Sequence, residues 1–313
     1  MARYLVTGGA GFIGSNIAEA LVDRGDEVRV FDNLSTGYLH NVIEGAELVE
    51  GDLVDSAAVA SAMDGVDFVY HQAALASVPR SVENPLATNE ACVTGTVNVL
   101  NEARKAGVKR VIYAASSSAY GDQPFMSKRE RDLPAPLSPY AVAKLAGEYY
   151  CHAFFETYGL ETVCIRYFNV FGPRQDPGSP YSAVIPLFIT ALLEGRQPVI
   201  YGDGEQTRDF TFIKNVVHGN LLAAEADASK VAGKTFNVAN GKTISLNQML
   251  SQLNELLGTD VSARFEEARV GDVRDSLADI TNAREHLAYE PIVSFEDGLR
   301  QSIDFYRSLL VSK

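Results

Sequence analysis

Tyr140 and Lys144 stand four residues apart in Tyr140-Ala141-Val142-Ala143-Lys144, directly after Ser138-Pro139. Proline suits the first turn of a helix, and the i, i+4 spacing puts phenol and ammonium on one helix face. The ammonium favours the phenolate, so the pair predicts a tyrosine pKa drawn toward neutrality. Such a tyrosine can serve as general base on an alcohol while hydride leaves the same carbon. Hydride needs an acceptor, and Thr7-Gly8-Gly9-Ala10-Gly11-Phe12-Ile13-Gly14 offers a cradle for one. Gly8 permits a tight turn, Gly11 lets the backbone approach a pyrophosphate, and Gly14 lets the next helix pack closely on a sheet. The helix N-terminus then turns its free N–H groups and positive dipole end toward the anion. Asp32 ends the following strand-like run, where a carboxylate binds ribose hydroxyls and repels a 2′-phosphate, so NAD is favoured over NADP. Asp52-Leu53 is placed for the adenine edge. Ser116-Ser117-Ser118 closes the run Val111–Ala115 with hydroxyls that can hydrogen-bond the reacting oxygen. Each cluster alone has a plain structural reading, as turn glycines or a solvated helix face. Together they describe a dinucleotide-dependent oxidation site.

These groups need a scaffold that gathers strand ends. Short β-rich runs (Tyr4–Thr7, Glu27–Phe31, Glu47–Glu50, Phe68–Tyr70, Arg110–Ala114, Thr162–Tyr167) alternate with helix-like segments, one of which carries Ile13, Ile17 and Leu21 on one face. Gly25, Gly107 and Gly159 each sit between a helical pattern and a strand, as helix stops do. Such alternation builds a Rossmann-type doubly wound parallel sheet, covered on both faces. The pattern changes near residue 170, where Pro173, Pro177 and Pro180 mark an irregular connection. Beyond it the sequence predicts a helix over Ala183–Glu194, a strand pair at Val199–Tyr201 and Thr207–Phe212, and a final amphipathic helix over Phe295–Leu310. The expected class is α/β, with a smaller C-terminal α/β substrate lobe. Residues 1–170 would bind the dinucleotide, with segments near 210–240 returning to that domain, and residues 171–313 would mainly bind substrate. The four prolines within Asp122–Pro139 predict a surface excursion near the site.

Composition narrows the function classes. The 313 residues are 46% apolar and 21% charged, the balance of a soluble globular protein. With 27 basic against 40 acidic residues the net charge is −13, which argues against general nucleic-acid binding but leaves room for a local arginine cluster on a small phosphate ligand. Cys92, Cys151 and Cys164 form no C-x-x-C pair, and the five histidines show no metal-ligand spacing, so neither a disulfide framework nor a metal site is expected. The chain enters a strand directly after Met1, and its longest apolar stretch, near Val184–Leu193, is about half the ~20 residues a membrane span needs. A cytoplasmic protein without leader or membrane segment is the expectation.

In order along the chain, Thr7–Gly14, Asp32–Gly37, His71-Gln72-Ala73-Ala74, Ser116–Gly121, Tyr140–Lys144, Arg166–Pro173, Gly202-Asp203-Gly204 with Arg208-Asp209-Phe210, and Arg269-Val270-Gly271-Asp272 make a specific series. With it the chain resembles the extended short-chain dehydrogenase/reductases over nearly its whole length. Among them it is similar to the UDP-hexose 4-epimerases, particularly the branch acting on N-acetylated sugars. The resemblance implies Tyr140 as base, Lys144 tuning it while binding the nicotinamide ribose, and Ser116 as the catalytic serine. It implies NAD held by Gly8, Gly11, Phe12, Ile13, Gly14, Asp32, Asn33, Ser35, Thr36, Gly37, Asp52, Leu53, Gln72, Ala73, Ala74 and Phe168, together with Tyr140 and Lys144. For the UDP-sugar it implies Ser77, Ser116, Ser117, Tyr140, Asn169, Ala183, Val184, Tyr201, Arg208, Arg269, Asp272 and Ser276, with Ser117 beside the C2 substituent. The arginines also make independent sense, because guanidinium forks suit phosphate oxygens.

The implied reaction oxidises the sugar at C4, turns the 4-keto sugar while UDP stays anchored, and reduces it on the other face. Family members restricted to plain hexoses carry a bulky tyrosine where this chain has Ser276. The small side chain there implies room for a 2-acetamido group, hence interconversion of UDP-GlcNAc and UDP-GalNAc, with UDP-glucose and UDP-galactose handled more weakly. The alternatives are a UDP-glucose/UDP-galactose 4-epimerase, a UDP-glucuronate-type epimerase or decarboxylase, and a non-catalytic NAD-binding redox sensor, the last opposed by the intact Ser116, Tyr140 and Lys144. Sugar-nucleotide 4,6-dehydratases are disfavoured, because their acidic pair is replaced by Ser116–Ser118. A homodimer through a four-helix bundle is also implied. Helices near Glu90–Lys105 and Tyr140–Thr157 would supply it, with Val93, Val97, Leu100, Phe154 and Phe155 across the two-fold axis.

Overall fold

The computed structural model describes residues 2–178, 183–268 and 274–311. At its centre lies a seven-stranded parallel sheet. Its first five strands in the chain are β1 (Arg3–Thr7), β2 (Glu27–Asp32), β3 (Glu47–Glu50), β4 (Phe68–His71) and β5 (Arg110–Ser116). Across the sheet the order is Lys234–Val238, Glu161–Tyr167, β5, β4, β1, β2, β3. The winding reverses between β1 and β4, and such a reversal opens a crevice at the carboxyl ends of the strands.

Alternation along the strands feeds two apolar layers. Tyr4 and Val6 of β1 face a layer with Ile17, Ala18 and Leu21 of α1 (Phe12–Asp23), while Leu5 faces the other with Phe31, Val59, Val69, Val99 and Val111. The long helix Pro139–Tyr158 covers this second layer. It crosses β5 closely at Gly147, where a Cβ would lie 2.1 Å from the Tyr113 hydroxyl. The Tyr113 hydroxyl in turn donates to the Lys144 carbonyl at 3.3 Å, so the contact sets the depth at which that helix rides on the sheet.

The second half departs from the sequence expectation in several places. Val199–Tyr201 pairs with Arg264–Glu266 and not with the next predicted strand. That predicted strand is two pieces. Thr207–Arg208 joins a four-stranded sheet with Ile244–Ser245, Asp275–Ala278 and Ser127–Lys128, while Thr211–Phe212 pairs with Val170–Phe171. The break falls at Asp209 and Phe210, both buried: the carboxylate of Asp209 turns to backbone N–H groups, and Phe210 enters an aromatic cluster with Phe171 and Phe295. The excursion over Asp122–Pro139 is therefore not wholly superficial. It contributes Ser127–Lys128 to that sheet, and Lys128 is buried, donating to the carbonyls of Gln123 and Phe125. The segment predicted as one helix from Glu90 opens with a π-helical turn, Glu90–Thr94, before the α-helix Gly95–Ala106. Leu100 and Phe154, expected to face a partner, are buried in the chain's own second layer, and Val93, Val97 and Phe155 are half-buried. The final helix runs over Phe295–Val311. Among the described residues no helix is long and apolar enough to cross a membrane.

Candidate active site

The glycine turn after β1 is built from backbone approaches that side chains would block. Gly8 has φ +71°, and a Cβ on it would lie 2.6 Å from the Ala73 nitrogen. A Cβ on Gly14 would lie 2.2 Å from the Gly8 carbonyl oxygen, so α1 starts in contact with the turn itself. Gly9, not singled out in the sequence, seats the same turn on Val30, with Cβ-to-methyl distances of 2.7 Å. Gly11 caps α1 without any side chain, so the first-turn N–H groups are left for an anion. Asp32 is buried and braces this cradle. One carboxylate oxygen accepts from the Ala10 N–H at 3.0 Å and the other from the Leu34 N–H at 2.9 Å, holding Leu34 at φ +55°. Each oxygen keeps a lone pair for a ribose hydroxyl. Asn33 reaches Asp52, Nδ2 to Oδ2, at 2.8 Å, joining the loops after β2 and β3.

These loops enclose a cavity of about 520 Å3. It is lined by Gly8, Gly11, Phe12, Ile13, Gly14, Asp32, Asn33, Ser35, Thr36, Gly37, Asp52, Leu53, Gln72, Ala73 and Ala74, all expected from the sequence. Phe31, Gly51, Val54, Leu75, Ala76, Ala87, Glu90 and Ala91 also line it. Most of these continue the motifs already noted at the strand ends. Ala87, Glu90 and Ala91 come from the helical segments that follow and carry no such signal. The cradle fits a dinucleotide: space and open N–H groups stand where Cβ atoms would otherwise fill the turn. Phe168, like Ser116, Tyr140 and Lys144, is not among the residues that line it. Its ring is fully buried in the core, 6.0 Å from that of Tyr120, and lines neither this cavity nor the next.

Tyr140 is half-buried near the N-terminus of helix Pro139–Tyr158, whose first turn is capped by Ser138. Burial pushes the pKa of its phenol up to about 12, outweighing the nearby Ser116 hydroxyl, which lowers it. Ser116 ends β5 and also accepts from the Ser118 N–H at 3.2 Å. Lys144 is buried one turn on, donating to the Ala114 carbonyl at 2.9 Å with its ammonium 5.1 Å from the centre of the Tyr113 ring. Burial also lowers the pKa of Lys144. The expected draw of the phenol toward neutrality is thus not met in the protein alone, because the desolvation that encloses the pair disfavours both charged forms. Beneath them His71 bridges Thr7 at 2.7 Å and Thr96 at 3.0 Å; burial first, and the Lys144 charge second, lower its pKa to about 3. Ser117 is half-buried in the short 3-10 turn after β5.

A second cavity of about 590 Å3 is lined by several of the residues expected to bind substrate. Asn169, Ala183, Val184, Tyr201 and Arg208 line it as expected, with Arg196, Gln197, Val199 and Gln206 among residues the sequence did not flag. The chain from Ala73 to Pro79 connects the two, with Ala73–Ala76 on the first cavity and Pro79 on the second. Arg208 is tethered by its Nη1 to the carbonyls of Thr207 and Arg274, at 2.9 and 3.0 Å. Ser77 lines neither cavity; its hydroxyl caps helix Val78–Glu83, accepting from the Arg80 N–H at 3.2 Å. Ser276 also lines neither. It is half-buried within strand Asp275–Ala278, in register with Arg208. Arg269 and Asp272 lie outside the described residues.

Residues 4–239 match the model of the NAD dependent epimerase/dehydratase family. The chain is 36% identical over 314 residues to a UDP-glucose 4-epimerase of Mycolicibacterium smegmatis, covering 98% of this chain and 99% of that protein. Among solved structures it superposes on a UDP-N-acetylglucosamine 4-epimerase from Methanobrevibacter ruminantium in complex with UDP-N-acetylmuramic acid, with TM-score 0.94, 41% identity, and 98% and 99% of the two chains covered. A UDP-glucose 4-epimerase of Thermus thermophilus in complex with NAD matches with TM-score 0.89 and 35% identity, over 97% of this chain and 99% of that one.

Proposed function

The chain belongs to the NAD dependent epimerase/dehydratase family, and from that premise we propose that it interconverts UDP-GlcNAc and UDP-GalNAc, and UDP-glucose and UDP-galactose more weakly, by epimerisation at C4. One observation carries the reading: a phenol near a serine hydroxyl at the carboxyl end of β5, one helical turn from a buried lysine, at the same edge of the parallel sheet as a glycine cradle that fits a dinucleotide. NAD, when bound, supplies a hydride acceptor and later a hydride donor at the sugar C4. Tyr140 removes the proton of the 4-hydroxyl and returns it, and Ser116 holds the oxygen while the charge moves. Lys144 stabilises the phenolate and meets the nicotinamide ribose. Asn169, Arg208 and residues of the 269–272 segment hold the diphosphate and uridine, so that the 4-keto sugar turns while its anchor stays. Ser276 lines neither cavity itself, and its place in this proposal rests on its small side chain and on its register with Arg208, which lines the second. A homodimer fits the same proposal, with Val142, Tyr149 and Tyr150 exposed along helix Pro139–Tyr158 as candidate contacts.

Purified protein incubated with UDP-GlcNAc and no added cofactor should yield UDP-GalNAc by NMR. No conversion, or release of CO2 and a UDP-pentose from UDP-glucuronate, would overturn the assignment. Ser276→Tyr should lower turnover of the acetylated pair about tenfold relative to the plain pair, of the order of a steric clash worth about 1.4 kcal/mol.

A further inference from the structure

Asn169, Arg208 and Ser276, three residues of the proposed substrate side, share no helix and no long strand. They meet at Asp209. This residue follows Arg208 in the chain, its N–H donates to the Ser276 carbonyl at 2.8 Å, and its carbonyl accepts from Asn169 Nδ2 at 3.2 Å. Asn169 stands at φ +34°, a backbone state that non-glycine residues hold only when their surroundings enforce it. The side chain of Asp209 is wholly buried. Its carboxylate accepts three backbone N–H groups, from Asn240 at 2.9 Å, Gly241 at 3.0 Å and Ala278 at 3.2 Å. Asn240 and Gly241 follow the edge strand Lys234–Val238 of the large sheet, and Ala278 ends a strand of the four-stranded sheet. One carboxylate therefore ties the two sheets together at the point where the chain passes from Arg208 to the aromatic cluster.

We propose that Asp209 is a positioning residue for the nucleotide-sugar: by joining the two sheets it holds Asn169, Arg208 and Ser276 in one register, without itself touching the ligand. The inference rests on the nucleotide-sugar reading above. A carboxyl group presents oxygens on both sides, at most one of them carrying a hydrogen, whereas an amide in its place turns two hydrogens toward backbone N–H groups. Asp209→Asn keeps the shape and removes that match.

The test measures UDP affinity by calorimetry, bound dinucleotide by absorbance, and KM against kcat for the UDP-sugar. The expected result for Asp209→Asn is about tenfold weaker UDP binding and a matching rise in KM, with kcat and dinucleotide content changed less than about twofold. Unchanged UDP affinity, or dinucleotide content and UDP affinity falling together as in general loosening, would overturn the proposal. If the variant does not fold, hydrogen exchange on the wild-type protein decides. Added UDP should slow exchange at the N–H groups of Asn240, Gly241 and Ala278, and unchanged exchange there would overturn it. Wild-type protein that binds no UDP defeats the nucleotide-sugar reading itself; wild type and variant that bind UDP equally defeat only the role of Asp209.

Discussion

The two cavities are held in different ways. The dinucleotide cradle rests on long parallel ladders and on backbone packed against backbone, as at Gly8, Gly14 and Ala73. The substrate side rests on strands of two to four residues, too short for their ladders to satisfy the chain around them. There buried Asx side chains take over. Asp209 accepts from three N–H groups, Asn215 accepts from Ile292 and Val293 while donating back to Val293, and Asn237 donates to the carbonyls of Lys128 and Asp279. Cofactor binding should therefore be most sensitive to added volume at glycines, and substrate binding to lost polar partners.

The largest expected effect touches neither support. Tyr140→Phe removes the proposed base yet keeps the ring that packs there. Epimerisation should fall about a thousandfold, within the range for losing a general base, while dinucleotide content and UDP affinity stay near wild type. A variant that retained full conversion would discredit the base, and one that lost a ligand would show that the phenol also supports one of the cavities.

Gly14→Ala comes next. The added carbon would lie 2.2 Å from the Gly8 carbonyl oxygen, and a backbone atom cannot swing away as a side-chain tip can. An overpacking cost of about 3 kcal/mol corresponds to roughly a hundredfold loss of dinucleotide affinity, read as cofactor stripped during purification. UDP affinity should change little, because the second cavity does not rest on this turn. Equal losses of both ligands would erase the distinction between the two regions.

The same distinction explains how much of the molecule was legible in the sequence. The cradle was readable residue by residue, because period-two strands, a glycine at each backbone approach and an acid at the strand end are local signals. The pair Tyr140 and Lys144 was readable from helical spacing. Its acidity was not, since burial of the phenol and of the lysine depends on Gly147 and Tyr113, which bring the helix down on the sheet. Leu100 and Phe154 misled for a related reason: apolar residues beyond one helix face can belong to a thick internal layer as well as to a partner. Phe168 sits inside a motif that touches the site on its other members, but its own ring turns into the core. Thr207–Phe212 reads as one strand because nothing in its composition announces that Asp209 bonds to distant N–H groups, at positions 240, 241 and 278.

The smallest effect is a pair of opposite ones. His71, in the cradle half, has its pKa lowered to about 3 by burial and by Lys144. Below its ordinary value of 6.5 the unfolded chain takes a proton that the folded chain refuses, so its contribution to stability is present above that pH and lost as the pH falls. Asp209 has its pKa raised to about 7 by burial, against its three N–H bonds. Between about 7 and 3.8 the folded chain takes a proton that the unfolded chain does not, so its contribution grows as the pH falls. From pH 7 to pH 5 each amounts to about 2 kcal/mol, with opposite sign. The melting temperature should hardly register them, but hydrogen exchange resolved by region should. With the intrinsic slowing of amide exchange in acid divided out, acidification should lower protection around β1 and β4 and raise it around Thr207–Arg208 and Asp275–Ala278. Asp209→Asn should abolish only the second change and expose the first as a net loss of stability on acidification. If both regions loosened alike in the wild-type protein, the two buried groups would not be the ones that set the response of each half to pH.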